Sequence, residues 1–139
     1  MADKVLFELV SPERLLLSEP ASMVVVPGTE GDFGVLPGHA PMISTVRPGI
    51  IAIHQDGRVA QRIFVAGGFA EVTAERCTVL ADEALSLEGI DRAAAEARVR
   101  AAREAAEAAV RDDEIRVARA RLAAAETLLK VVETAPAAH

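Results

Sequence analysis

The seven prolines and nine glycines of this 139-residue chain are unevenly divided, and that division constrains the fold more than any other feature. Every glycine lies at or before Gly89, and no proline lies between residues 49 and 135. Both residues punctuate turns and are penalised inside helices. The first part must therefore be many short pieces, and the second long and uninterrupted.

The short pieces read as strands. Residues 5–10, 14–18, 22–26, 33–36, 42–46, 49–54, 59–66, 69–73 and 77–81 are rich in Val, Ile, Leu or Phe. Turn signals such as Pro27-Gly28, Pro37-Gly38, Pro48-Gly49 and Asp56-Gly57 separate them. Asp56-Gly57 is the strongest of these signals, because the two-residue hairpin turn it favours needs positive φ at both positions. Many short strands at such spacing predict a closed barrel or two packed sheets.

From Asp91 to Ala135 the period becomes helical. Ile115, Ala118, Leu122, Ala125, Leu129 and Val132 recur at spacings of three and four, as do Ala95, Val99, Ala102, Ala106 and Ala109 upstream. Asp91 is placed to cap the first helix, and Asp112, Asp113 and Glu114 suit the positive end of a second. The two stripes are out of register, which predicts a break near residues 111–113 and helices that fold back on each other. Alanine stripes bury little, at about 0.8 kcal/mol per methyl group, and neither Gly nor Pro enforces the turn. A single helix of about 45 residues, roughly 68 Å long, is also sterically allowed. The expectation is a two-state element with a compact and an extended form. The domain division expected is 1–88 for a β-sandwich and 89–139 for a helix-turn-helix.

Composition excludes several functions. With four Phe and no Trp or Tyr, the chain lacks stacking platforms for bases and aromatic cages for cations. The net charge is -6, and no segment concentrates positive charge without acids beside it, so a nucleic-acid partner is not expected. The lone Cys77 excludes an internal disulfide and a multi-thiolate metal site, and within an apolar strand it reads as a core thiol. His39, His54 and His139 are too scattered for a metal site, and neither lysine follows a glycine as a P-loop requires. Asp82-Glu83 and Glu71/Glu75 read as solvated strand ends rather than acid/base pairs. The opening residues read as a strand rather than a leader, and no apolar run is long enough to span a bilayer, so any membrane role needs a partner. A catalytic site is not expected, nor a resident cofactor or metal.

The segment from Pro27 to Pro41 stands out for its density of turn formers and its acids Glu30 and Asp32. It has two readings: consecutive turns in a β-domain, or a rigid exposed loop that presents carboxylates to a partner.

Taken in order, several fragments resemble the epsilon subunit of bacterial F-type ATP synthases. They are Val10-Ser11-Pro12-Glu13-Arg14, the run from Gly31 to Pro41, Arg47-Pro48-Gly49, the run from Phe64 to Phe69, and Val79-Leu80-Ala81-Asp82, followed by the helical tail. The resemblance spans essentially the whole chain. It implies a mainly β fold of the α+β class, a two-sheet sandwich followed by an antiparallel helical hairpin. It also implies a non-catalytic rotor subunit that binds the gamma subunit and the ring of c subunits and touches the alpha/beta catalytic head. Such a subunit is peripheral, on the cytoplasmic face of the bacterial inner membrane, and meets the membrane only through partners. Glu30 and Asp32 would face the polar loops of the ring, with His39 in the adjoining turn. The hairpin would extend to inhibit ATP hydrolysis, with Arg111, Arg116, Arg119 and Arg121 as basic contacts to an acidic segment. The other reading of these arginines is a solvated helix face that pairs with neighbouring acids.

Some relatives bind ATP through Ile-Asp-x-x-Arg-Ala. Here Ile90-Asp91 is followed by Arg92-Ala93-Ala94-Ala95, so alanine replaces the motif's arginine and Arg92 projects about 200° away from it. What the resemblance leaves is a weak or rearranged nucleotide site built from Asp91, Arg92, Arg98 or Arg100. The alternatives to the rotor reading are thus an ATP-sensing module in which nucleotide holds the hairpin closed, and a generic β-sandwich adaptor.

Overall fold

The computed structural model describes residues 4–134. The chain divides into two compact units, one ending at Leu85 and one beginning at Ser86.

The first unit is built of ten strands: β1 (Val5–Val10), β2 (Leu15–Ala21), β3 (Met23–Gly28), β4 (Gly31–Val35), β5 (Met42–Val46), β6 (Gly49–Gln55), β7 (Arg58–Val65), β8 (Gly68–Val72), β9 (Arg76–Ala81) and β10 (Ala84–Ser86). They form one hydrogen-bonded path in the order β10-β7-β6-β3-β5-β8-β9-β1-β2, with β4 paired to β3 off the path. The path folds over at a narrow corner, where β3 meets β5 through the single pair Gly28↔Val46. All neighbours with a recorded register are antiparallel except β1 and β9, which run parallel from Leu6↔Arg76 to Val10↔Leu80.

Strand alternation decides which residues line the core. Val5, Phe7 and Leu9 of β1, Ile51 and Ile53 of β6, and Cys77, Val79 and Ala81 of β9 point inward at every second position and are buried. They join Val24, Val26, Val35, Val46, Ile63, Val65, Ala70 and Val72 in one cluster that takes residues from both halves of the folded path. Where β2 passes into β3 beside β6, Ser22 N donates to His54 O at 2.9 Å and the Gln55 amide donates to Pro20 O at 2.6 Å. The hairpin expected at Asp56-Gly57 joins β6 to β7, with φ of 52° and 84° at its two central residues. β10 was not foreseen. At three residues it is too short to carry an alternation that could be read.

The second unit begins with a 3-10 turn at Leu87–Gly89 and contains α1 (Arg92–Ala108) and α2 (Asp112–Thr134). The Asp91 carboxylate accepts from Ala94 N at 2.7 Å, which is the expected N-cap. The break falls at residues 109–111, slightly before the position expected. Arg111 N donates to the Glu114 carboxylate at 3.1 Å and Arg111 O accepts from Ile115 N, so Arg111 closes the helix start from outside and the three acids lie within its first turn. The helices lie antiparallel, as the pairs Arg92–Glu133 (2.9 Å) and Arg103–Glu126 (3.4 Å) require. The buried residues of α2 are Ala118, Ala124, Ala125 and Leu128, whereas Leu122 and Leu129 of the expected stripe are half-buried. Ala124 and Leu128 lie up to about 100° round the helix from Ala125, so the apolar face is broader than one stripe.

Burial pushes the Cys77 thiol up to about 12 from its usual 9.0. A raised thiol pKa means that stability from the protonated thiol is complete below pH 9 and is lost as pH climbs toward 12. Between those limits the wild-type chain should lose stability relative to Cys77→Ala by on the order of 1.4 kcal/mol per pH unit, measured as the difference in urea unfolding. A flat difference would mean that the thiol ionises as readily in the folded protein as in the unfolded one.

Candidate functional site

The acid-bearing segment resolves into two turns at opposite ends of β4. At one end, β3 and β4 form a tight hairpin with the pairs Pro27↔Asp32 and Gly28↔Gly31, which leaves Thr29 and Glu30 at the tip. A Cβ on Gly28 would lie 2.8 Å from Gly31 O and 3.0 Å from the Phe33 ring, so this close approach requires glycine. The tip is tied down on β5. Thr29 N donates to Thr45 O at 3.1 Å, and the two threonine hydroxyls share a hydrogen bond at 2.7 Å. Arg47, just beyond β5, adds three ties. Its backbone N donates to Pro27 O at 2.9 Å, its Nη1 to Gly28 O at 2.5 Å, and its Nη2 to Asp32 Oδ1 at 2.6 Å.

Glu30 and Asp32 are therefore not equivalent. Asp32 is spoken for by a guanidinium, whereas Glu30 is exposed at the tip with no hydrogen bond or ion pair among the described residues. His39 lies in the other turn, half-buried, with its Nδ1 2.7 Å from Ala40 O and its backbone N donating to Leu36 O. The five residues of β4 separate the turns by roughly 17 Å, so the structure does not bring His39 to the acids.

The outer face of the half-sheet β5-β8-β9-β1-β2 carries a feature that the sequence reading missed. Register places Thr45, Phe69, Leu80, Val10 and Leu15 side by side in one row across five strands. Phe69, Leu80 and Leu15 are each about half exposed, at 53%, 49% and 55%, and Ile43 one step along β5 is 71% exposed. The row starts at Thr45, the residue that holds the hairpin tip. The next row is polar: Glu71, Thr78 and Glu8 follow Ile43, with Thr78 Oγ1 donating to Glu8 and Arg76 3.6 Å from it. Beyond it lies an open cleft of about 580 Å³ lined by Leu6, Glu71, Thr73, Glu75, Arg76 and Thr78. The signal for the apolar row was available in β8 and β9, where outward positions that ordinarily hold polar residues hold Phe69 and Leu80.

In the helical unit, Asp91 is occupied as a cap and Arg92 lies against both Glu96 (3.2 Å) and Glu133 (2.9 Å). Arg98 is half-buried and Arg100 exposed. The nucleotide-site residues named from sequence thus include one carboxylate and one guanidinium already engaged within the hairpin. Arg111 lies within 3.6 Å of Asp113 and 3.5 Å of Glu114. Arg116, Arg119 and Arg121 are exposed. Arg116 and Arg119, three apart, share a face, while Arg121 projects about 140° from Arg116.

Comparison with known proteins is consistent with this architecture. The family described as "ATP synthase, Delta/Epsilon chain, beta-sandwich domain" matches residues 4–87. An ATP synthase epsilon chain of Rhodospirillum rubrum is 57% identical over 129 residues, which cover 93% of this chain and 96% of that one. One of Rhodospirillum centenum is 56% identical over 137 residues, covering 95% and 94%. Among solved structures, a chain of the Euglena gracilis mitochondrial ATP synthase shares the fold with a TM-score of 0.76 at 23% identity, covering 95% of this chain and 83% of that one. A chain of the Tetrahymena thermophila mitochondrial ATP synthase does so at 0.62 and 14%, covering 93% and 96%.

The cross-helix pair Arg103–Glu126 is half-exposed on both sides, so its attraction is largely screened. A double-mutant cycle with Arg103→Ala and Glu126→Ala, read by urea unfolding of the helical unit, should give a coupling of about 1 kcal/mol or less. A coupling several times larger would make the hairpin a fixed element rather than one that opens readily.

Proposed function

The chain belongs to the ATP synthase epsilon-chain family, and on that premise we propose that its two units divide the work of a central-stalk subunit. The protein is non-catalytic. Its β-sandwich, taken as residues 1–88, couples rotation of the c-ring to the catalytic head by holding the gamma subunit on one surface and the ring on another. The solved neighbours come from an OSCP/F1/c-ring assembly and a central stalk/c-ring assembly, which supports that setting.

The apolar row on the outer face carries this reading. Half-exposed Phe69, Leu80 and Leu15 beside Ile43 form a contiguous apolar strip on a soluble β-domain, the kind of surface that marks a protein interface. A flanking polar row gives the strip the apolar centre and polar rim of a docking site. We assign it to gamma. The clamped hairpin, with Glu30 at its tip, is assigned to the polar loops of the ring. A transmitter of torque has to be stiff between its two contacts, and a close-packed sandwich core supplies that stiffness.

The helical unit, residues 89–139, is assigned to regulation. Its helices bury four alanines with Val99 and Leu128 and carry ion pairs between them at the surface, and its turn contains no glycine or proline. Extension would carry the exposed Arg111, Arg116, Arg119 and Arg121 to an acidic segment of a catalytic beta subunit and block hydrolysis. Among the described residues no helix is long and apolar enough to cross a membrane. The subunit is assigned to the cytoplasmic face of the bacterial inner membrane, held there by its partners.

The test is the double substitution Phe69→Thr, Leu80→Thr, which keeps good strand formers and puts no like charges opposite each other. Both side chains are half-exposed, so the sandwich should keep its fold and unfold near the wild-type midpoint. Affinity for purified gamma should fall by about 30-fold or more, as loss of an interface hot spot does. Unchanged affinity in a folded variant would move the gamma contact off this face.

A further inference from the structure

Arg47 is a side chain to which no role in coupling has been assigned. It sits at the corner where the two halves of the sheet join, half-buried, and reaches the β3–β4 hairpin at three points. Pro27 O and Gly28 O accept from its backbone and its Nη1, and Asp32 Oδ1 accepts from its Nη2. These points lie on both strands of the hairpin, because Pro27 and Gly28 are in β3 and Asp32 is in β4. The guanidinium itself spans Gly28 O and Asp32 Oδ1, one on each strand, as donors in a fixed planar fork can, whereas an ammonium on a flexible stem supplies only a point charge. Beyond the clamp the chain has only Thr29 and Glu30 before it turns back, so the direction in which Glu30 points follows from how firmly its two strands are held.

We propose that Arg47 is a positioning residue for coupling: it locks Asp32 and the base of the hairpin so that Glu30 alone presents its carboxylate to the c-ring. This rests on the placement of the hairpin against the ring given above. It separates two acids that look interchangeable in sequence. Glu30 makes the contact, and Asp32 acts only through Arg47.

The experiment uses the intact ATP synthase in proteoliposomes and reads the ratio of ATP-driven proton pumping to ATP hydrolysis. Amide hydrogen exchange of Thr29 in the isolated full chain is measured alongside, since that amide bonds to Thr45 O only while the tip is docked. Glu30→Gln should lower the coupling ratio and leave Thr29 exchange at the wild-type rate. Asp32→Asn and Arg47→Gln should each lower the ratio less than Glu30→Gln does, and should speed Thr29 exchange by about tenfold or more as the tip opens locally. The Asp32→Asn, Arg47→Gln double variant should be no worse than Arg47→Gln alone, because Asp32 acts only through its bond to Arg47. Arg47→Lys, which keeps the charge but not the fork, should fall between wild type and Arg47→Gln.

Loss of coupling in Asp32→Asn with unchanged Thr29 exchange would overturn the proposal, because Asp32 would then be touching the partner itself. Unchanged exchange in Arg47→Gln would overturn it equally, since the clamp would not be holding the tip. If Arg47→Gln loosens the tip while Glu30→Gln leaves the ratio intact, the placement of the hairpin against the ring is what fails. The role of the clamp in coupling falls with it.

Discussion

Burial of one face of nearly every strand against the other half of the same sheet is the interaction on which the rest of this molecule depends. The core is Val, Ile, Leu, Phe, Ala and one Cys, and among the described residues none of the buried ones is polar or charged. Such a core needs no internal hydrogen-bond network to be satisfied, so its rigidity comes from close packing and the strand ladders. The outer faces and turns are then free to carry residues that folding does not require. The half-exposed Phe69 and Leu80 can be apolar on the outside because stability is already secured by Ala70, Val72, Val79 and Ala81 on the inside of the same two strands.

The helical unit has a different physical basis. α1 buries only Ala95 and Val99, and three of the four buried residues of α2 are alanines. Small side chains let the helices approach closely but remove little apolar surface from water. Ion pairs at the surface add little more and weaken with salt. A unit held this lightly costs less to open than a close-packed sandwich does. The two halves of the sequence, one dense in glycine and proline and one lacking them from residue 90 to residue 135, thus encode a close-packed β-domain and a lightly packed helical pair.

Much of this was legible in the residues, for reasons that can be named. Turn chemistry located most of the strands, because a pair such as Asp56-Gly57 can adopt few conformations, although Pro27-Gly28 lies inside β3 and the turn follows at Thr29 and Glu30. Helical periodicity located α1 and α2. What escaped were features set by register rather than by local order. The apolar row needs five strands aligned before Leu15 and Phe69 become neighbours, and they are far apart in the chain. Arg47 looked like part of a short turn motif, and only the approach of β3 to β5 shows that it reaches Asp32, fifteen residues earlier. His39 does lie in the adjoining turn, as expected, and only the strand between shows how far that turn is from the tip.

The central claim is that the sandwich transmits and the hairpin regulates. The most direct measurement is ATP hydrolysis together with ATP-driven proton pumping by the reconstituted complex, with the full chain and with a chain ending at Glu88. The account predicts that truncation raises hydrolysis while pumping per ATP stays the same. Loss of pumping per ATP in a complex that still assembles would contradict it, by showing that the helical unit is part of the coupling path.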